Sequence, residues 1–310
     1  MNFFIKRSII FASGFLIFII VGLILPNNNS QRSVDYSLLA KHDLLESTKG
    51  PKLILTGGSN VLFGFNSEII SNELKMPVVN HGIHAGYGLK YILDDVLPFV
   101  KKNDIVVLSP EYSFFIDKNY LGKEPLLFSL TAKPENLKHI SFSQLSQISQ
   151  FIPKFSFNRT KSFIFNAIFN SKNNSESTIS NYTEFAINKY GDHNLHWDNN
   201  KLNFDSYDFN GAINNDVLLF INKISKEIKS KGARLLIAYP SLCKSSFELN
   251  SNTVENIELE LKKYNFNIIG TPKNYCFEDY YFFDSPYHLN GQGVIKRTNQ
   301  LLIELKEVLK

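Results

Sequence analysis

Cysteine is almost missing from this chain. Cys243 and Cys276 are the only two in 310 residues, and neither has the spacing of a metal cluster. A cysteine-ligated metal site is therefore excluded, and the pair reads as ordinary thiols, able to bridge if this part of the chain is exported. Excess charge of one sign is also scarce. The formal net charge is +4 and the lysines are scattered, which leaves no basic patch for nucleic acid. What remains is an ordinary globular composition, 44% hydrophobic and 20% charged, in a chain long enough for one large domain or two small ones.

Charge is wholly absent from Ile9 to Leu25, which reads IIFASGFLIFIIVGLIL. With Ser8 before it and Pro26 after it, this run is just long enough to span a bilayer. Lys6 and Arg7 precede it, and Asn27, Asn28, Asn29, Ser30 and Gln31 follow it. The positive-inside rule then puts the N-terminus in the cytoplasm and everything after residue 26 on the far side. No small-x-small cleavage site follows the run, which favours a retained anchor over a removed signal peptide. The expected location is the inner (cytoplasmic) membrane, with a single span at residues 1–26, a tether at 27–50 and a folded domain at 51–310.

The folded part has the rhythm of strands alternating with helices. Lys52–Thr56, Pro77–Asn80 and Asp104–Leu108 are apolar, β-prone runs, and Arg234–Tyr239 and Asn265–Gly270 supply a fourth and a fifth. The first ones are continuous rather than alternating, as parallel strands covered on both faces are. Helices are expected over residues 61–74, 86–100, 213–232, 252–264 and 291–309. Between about 115 and 205 the rhythm fails. That stretch reads as an insertion, with helical pieces near 141–152 and 160–170 and a polar run from Ser171 to Ser175. The expectation is an α/β fold with a parallel sheet of about five strands. Right-handed crossovers bring the carboxyl ends of the strands to one edge, where ligands bind in open sheets.

Several chemically able residues follow those strand ends. Ser59 comes after the Thr56-Gly57-Gly58 turn, at a helix start whose free N–H groups can stabilise an anion; an ordinary N-cap serine looks the same. His288 stands before Asn290, an expected N-cap, and Asp284 lies four residues earlier, in range to fix the tautomer of the imidazole. The segment Val79–Gly88 carries Gly82, Gly86 and Gly88, whose N–H groups can face an oxyanion. Its spacing, G-x-x-x-G-x-G after the second strand, is not the dinucleotide fingerprint, which disfavours a flavodoxin-like nucleotide binder. His81 and His84 in this segment have no carboxylate or third histidine close by in sequence, so no metal is expected. Asn188–Trp197, dense in aromatic and polar residues, reads either as the lining of a substrate cleft or as a turn closing a loop.

In this order, Ser59, the Asn80–Gly88 loop, then Asp284 and His288, the chain resembles the SGNH (GDSL-like) hydrolases over residues 52–115 and 205–310. That resemblance implies a flavodoxin-like three-layer fold and a serine nucleophile at Ser59, within Gly57-Gly58-Ser59-Asn60 where the family has G-D-S. It implies an oxyanion donor at Gly86, or Ala85 on a shift of one residue, and an acid and base at Asp284 and His288. Two departures stand out. The last motif is D-x-x-x-H, one residue longer than the family's, and the third motif, G-x-N-D, is replaced by Ser109-Pro110-Glu111-Tyr112. Asn60, Glu111 and Tyr112 are accordingly candidate oxyanion or substrate contacts, Tyr112 as a donor and an ionised Glu111 only as an acceptor.

The chain looks most like the membrane-tethered members of that superfamily, which act on acyl groups of cell-surface polymers. The expectation is a serine esterase or O-acyltransferase acting on O-acyl esters, acetyl above all, of an envelope or extracellular polysaccharide. It needs no cofactor and has polysaccharide-biosynthesis proteins of the membrane as expected partners. The alternative is a catalytically degenerate module that binds glycan or supports a polysaccharide-assembly complex.

Overall fold

The computed structural model describes residues 3–25, 37–132, 134–169, 186–199 and 202–310. Its first element, α1 (Phe3–Ile24), is one helix long and apolar enough to cross a membrane, exposed along Phe3–Ile17. Of the region expected to be a tether, residues 27–36 lie outside the described residues. The rest holds α2 (Ser37–Ser47), which belongs to the packed body, with Leu38, Lys41, His42 and Leu45 buried.

The α/β expectation holds. β1 (Leu53–Gly57) runs into a short helical turn, α3 (Ser59–Leu62), and then α4 (Ser67–Leu74). One helix was expected over 61–74; two form, because Gly64 lies hard against the buried Arg297 and Asn66 caps a new start, its side chain accepting from Ile69 N–H. β2 (Val78–Gly82) follows, then α5 (Leu89–Val96), which is shorter than the expected 86–100. A one-turn 3₁₀ piece precedes it, Gly88 enters it at φ 81°, and Pro98 ends it in another 3₁₀ turn. β3 (Ile105–Ser109) completes the first half.

The insertion contains α6 (Pro125–Ala132), α7 (Phe142–Ser149) and α8 (Ile152–Phe169). It is thus more helical than the sequence suggested, and the polar run 171–175 lies outside the described residues. The second half brings α9 (Asn215–Ser230), β4 (Arg234–Ala238), β5 (Leu242–Cys243), α10 (Lys244–Leu249) and α11 (Ser251–Lys263). The fifth sheet strand, β6 (Ile268–Ile269), is only two residues long. After β7 (Cys276–Phe277), a small antiparallel pair, β8 (Phe282–Ser285) and β9 (His288–Leu289), leads into α12 (Gly291–Val308).

The five parallel strands lie in the order β2-β1-β3-β4-β6. Their side chains divide by the two-residue period of a strand. Ile54, Val106, Leu108, Leu235 and Ile237 join one apolar cluster, with α5, α9 and α11. Leu53, Leu55, Val107, Leu236 and Ala238 join another, with Ile70 of α4 and Leu301 and Leu305 of α12. Both faces of the sheet are buried, which explains the continuous apolar runs. The strand order reverses between β1 and β3, and the segments that leave their carboxyl ends, Gly58–Asn60 and Pro110–Tyr112, flank the crevice this creates.

Candidate functional site

At that crevice Ser59 is half-buried and opens α3. Its hydroxyl donates to Glu111 Oε1 at 3.1 Å, and the Asn60 N–H donates to the same oxygen, also at 3.1 Å. The buried carboxylate of Glu111 therefore sits over the first residues of α3, accepting from both. It also explains Gly58. A Cβ there would come 2.7 Å from Glu111 Oε1 and 3.0 Å from Ala85 Cβ.

Asn60 faces inward. Its amide Nδ2 donates to the Ser109 carbonyl at 3.1 Å, and its Oδ1 accepts from Arg297 Nη2 at 2.8 Å. Arg297 also donates to Ser109 Oγ at 2.8 Å and to the Asn60 carbonyl, while its guanidinium lies 4.1 Å over the Phe65 ring. Burial pulls this group down to about 9, still a cation at neutral pH. One arginine from α12 thus ties the end of β1 to the end of β3. Sequence reasoning missed it, although the signal was present: Arg297 falls between Val294 and Leu301 on the apolar stripe of the last helix.

Asp284 and His288 form a pair. His288 Nδ1 donates to Asp284 Oδ1 at 2.9 Å. Since the carboxylate only accepts, Nε2 is the basic nitrogen of the neutral ring. The turn between β8 and β9 is tightened by Ser285 Oγ, which accepts from the Tyr287 and His288 N–H groups, each at 3.2 Å. The His288 ring stacks on Phe63, centroids 4.3 Å apart. Phe63 lies four residues after Ser59, one helical turn along the same face, and its N–H donates to the Ser59 carbonyl at 3.0 Å. The serine turn and the histidine pair therefore share one aromatic contact.

The end of the insertion buttresses this arrangement. His193 and His196 pack on the same Phe63 ring, with centroids at 4.5 and 5.1 Å. His196 Nε2 donates to the Leu289 carbonyl at 2.8 Å, directly after His288. Burial pulls the His196 imidazole down to about 4, so it is neutral at pH 7. The segment 188–197, read as cleft lining or turn, supports the histidine from behind.

Gly86 and Ala85 form a 3₁₀ turn after β2, capped by the exposed His84, whose Nδ1 accepts from the Gly86 N–H at 2.9 Å. Beside them opens a cleft of about 350 Å³, a size suited to a small ligand. It is lined by His84, Gly86 and Glu111, by Lys123 and Pro125 of the insertion, and by Ser285 and Tyr287. Tyr112 is turned away from this cleft. It is fully buried and stacked on Phe209 in the core, its hydroxyl without a hydrogen-bond partner.

Among the described residues one group has the atoms to hold a metal ion: His42, His81 and Asp95, with donor atoms within 4.8 Å of one another. These atoms are spent on each other. His42 Nε2 and His81 Nε2 both donate to Asp95 Oδ2, at 2.8 and 2.9 Å, and Thr56 Oγ1 donates to His81 Nδ1 at 3.3 Å. Burial would raise the Asp95 carboxyl, but the two imidazoles hold it below the usual carboxylate range. His84 belongs to the cleft, not to this group. Cys243 and Cys276 are free thiols.

No known protein-family model matches the chain, and a search of curated proteins returns no significant match.

Proposed function

We propose that this protein is a membrane-anchored serine esterase or O-acyltransferase of the SGNH-like kind. It acts outside the cytoplasm on O-acyl groups, acetyl first, of an envelope or extracellular polysaccharide. The strand order β2-β1-β3-β4-β6, with helices on both faces, supports a flavodoxin-like three-layer arrangement. The observation that carries the reading is the Asp284–His288 pair, stacked on the aromatic ring of the helical turn that Ser59 opens. The longer D-x-x-x-H spacing is accommodated by the β8–β9 turn, which still leaves the carboxylate on Nδ1.

In this reading Ser59 Oγ attacks the acyl carbon, and His288 Nε2 takes its proton and returns it to the leaving alkoxide. Asp284 holds the tautomer and stabilises the imidazolium. The Ser59 N–H and, once the exposed His84 ring swings off it, the Gly86 N–H bind the tetrahedral oxyanion. Water or a sugar hydroxyl then takes the acyl group. Glu111 holds the serine hydroxyl at rest and fills the space that the family's Asp at position 58 would occupy.

A second reading, a glycan-binding module without catalysis, draws on the same two resting contacts: Glu111 holds the hydroxyl and His84 holds the Gly86 N–H. The full chain in detergent, assayed on p-nitrophenyl acetate, separates the two. Ser59→Ala and His288→Ala are each expected to lower kcat/KM about 10³-fold or more. Activity indifferent to both substitutions would remove the assigned nucleophile and base. Absence of turnover on any ester, with no labelling by a fluorophosphonate, would leave the binding module.

A further inference from the structure

The insertion carries a surface that water does not favour. In α8, Phe157, Ile164, Phe165 and Ile168 are all exposed, with Ile168 at 63%. Together with Lys161 they fall at i, i+4, i+7, i+8 and i+11, which is one face of a helix. A surface helix of a soluble domain points its polar face outward; this one points a large apolar face outward.

At Phe157 and the residues beside it, α8 also meets α1. A Cβ on Gly22 would lie 2.6 Å from Ser156 Cβ, so the two backbones approach as closely as only glycine permits. The Phe18 and Phe157 rings pack with centroids 6.5 Å apart, and the Arg159 guanidinium donates to the Leu25 carbonyl at the end of α1. On α1 the covered positions lie between Phe18 and Leu25, while Phe3–Ile17 stays exposed. The crossing is therefore at the end of α1 that faces the folded domain. Phe18 and the exposed stripe of α8 enclose an almost wholly apolar groove of about 340 Å³.

We propose that α8 is a second membrane element. Its Phe157–Ile164–Ile168 stripe lies among the phospholipid acyl chains of the leaflet where α1 ends, and Lys161 reaches the headgroup phosphates. Two observations select lipid as the occupant. The stripe is continuous with the apolar surface of α1 through Phe18, and the one charge that lines its groove, Lys161, is a cation on a long stem, which reaches out of an apolar layer toward anionic headgroups. The insertion that supplies Lys123 and Pro125 to the cleft is then held to the membrane at its far end. This inference rests on α1 being a membrane span.

The test uses the full chain in vesicles of phosphatidylethanolamine and phosphatidylglycerol. Cys243→Ser and Cys276→Ser give a cysteine-free background, into which Phe11→Cys, Ile164→Cys, Ile168→Cys or Ser230→Cys is introduced and labelled with an environment-sensitive fluorophore. Labels at 164 and 168 are expected to be quenched several-fold more by acyl-brominated lipid than by aqueous iodide, as at 11, with the exposed position 230 behaving in reverse. If 164 and 168 behave like 230 while 11 is quenched by lipid, α8 faces water and the inference fails. Shielding of 164 and 168 from both quenchers would mean a protein partner covers the stripe, which also overturns it. If position 11 escapes lipid quenching, the anchor reading falls first and this inference with it.

Discussion

A buried cation is costly unless its donors are used, and Arg297 uses its two terminal nitrogens on the two strand ends that frame the crevice, while its Nε has no partner. Its partners are neutral acceptors: the Asn60 carbonyl, Asn60 Oδ1 and Ser109 Oγ. Removing the guanidinium would strand the Asn60 carbonyl in a dry site, worth about 1–3 kcal/mol, and leave Asn60 Oδ1 with only the longer bond from Ser109 Oγ at 3.3 Å. Arg297→Met is therefore expected to cost about 2 kcal/mol in urea unfolding, and to lower any esterase activity because Asn60 and the Ser59 turn lose their anchor. Arg297→Lys keeps the charge but not the fork, and is expected to fall between. An Arg297→Met protein as stable as the parent would show that the fork is not what holds the crevice. This residue also marks a limit of sequence reading. Ser59, Asp284 and His288 were visible because turn and cap chemistry is local, and Glu111 because it follows a strand. The stripe of α12 marks Arg297 as buried, but what it holds lies up to 237 residues away in sequence, and no local pattern encodes that partner.

The same division appears among the elements. Strands buried on both faces are readable, since each apolar run needs only its own residues, and the expected α/β sheet of five parallel strands formed. Elements whose fate depends on a distant partner were misjudged. α2 fell inside the expected tether, yet Lys41 and His42 bind it inward. Lys41 Nζ donates to the Asn80 and Gly191 carbonyls, each at 2.7 Å, and His42 pairs with Asp95. α2 thereby joins the end of β2 to the end of the insertion, where Asn80 N–H donates to the Tyr190 carbonyl at 2.8 Å. Lys41→Met is expected to leave the two carbonyls unpaired and loosen this seam locally. Hydrogen exchange should then speed up about tenfold or more at Asn80 and His193 N–H, with little change in the β3 amides. Equal acceleration in β3 would mean that α2 contributes only to global stability.

For the whole molecule, the buried histidines set a direction for its response to acid. Burial lowers His81 despite its bond to Asp95, and lowers His196 to about 4. Both folded-state values lie below the ordinary 6.5, so below pH 6.5 the unfolded chain takes up protons that the folded chain refuses. Their contribution is complete above pH about 6.5 and is lost as the pH falls from there toward 4. His196 alone can account for up to about 3 kcal/mol across that window. The loss would be felt where it matters most, since His196 holds the Leu289 carbonyl beside His288 and packs on Phe63. Thermal melts of the full chain from pH 7.5 to 4.5 should show a steady fall in Tm. His196→Gln retains a donor for the Leu289 carbonyl but does not titrate, so its Tm should start lower and fall less steeply. Because the comparison is of slopes, a merely structural defect from the substitution shifts the whole curve and leaves its slope intact. Parallel curves for the two proteins would therefore mean that protonation of His196 does not drive acid unfolding.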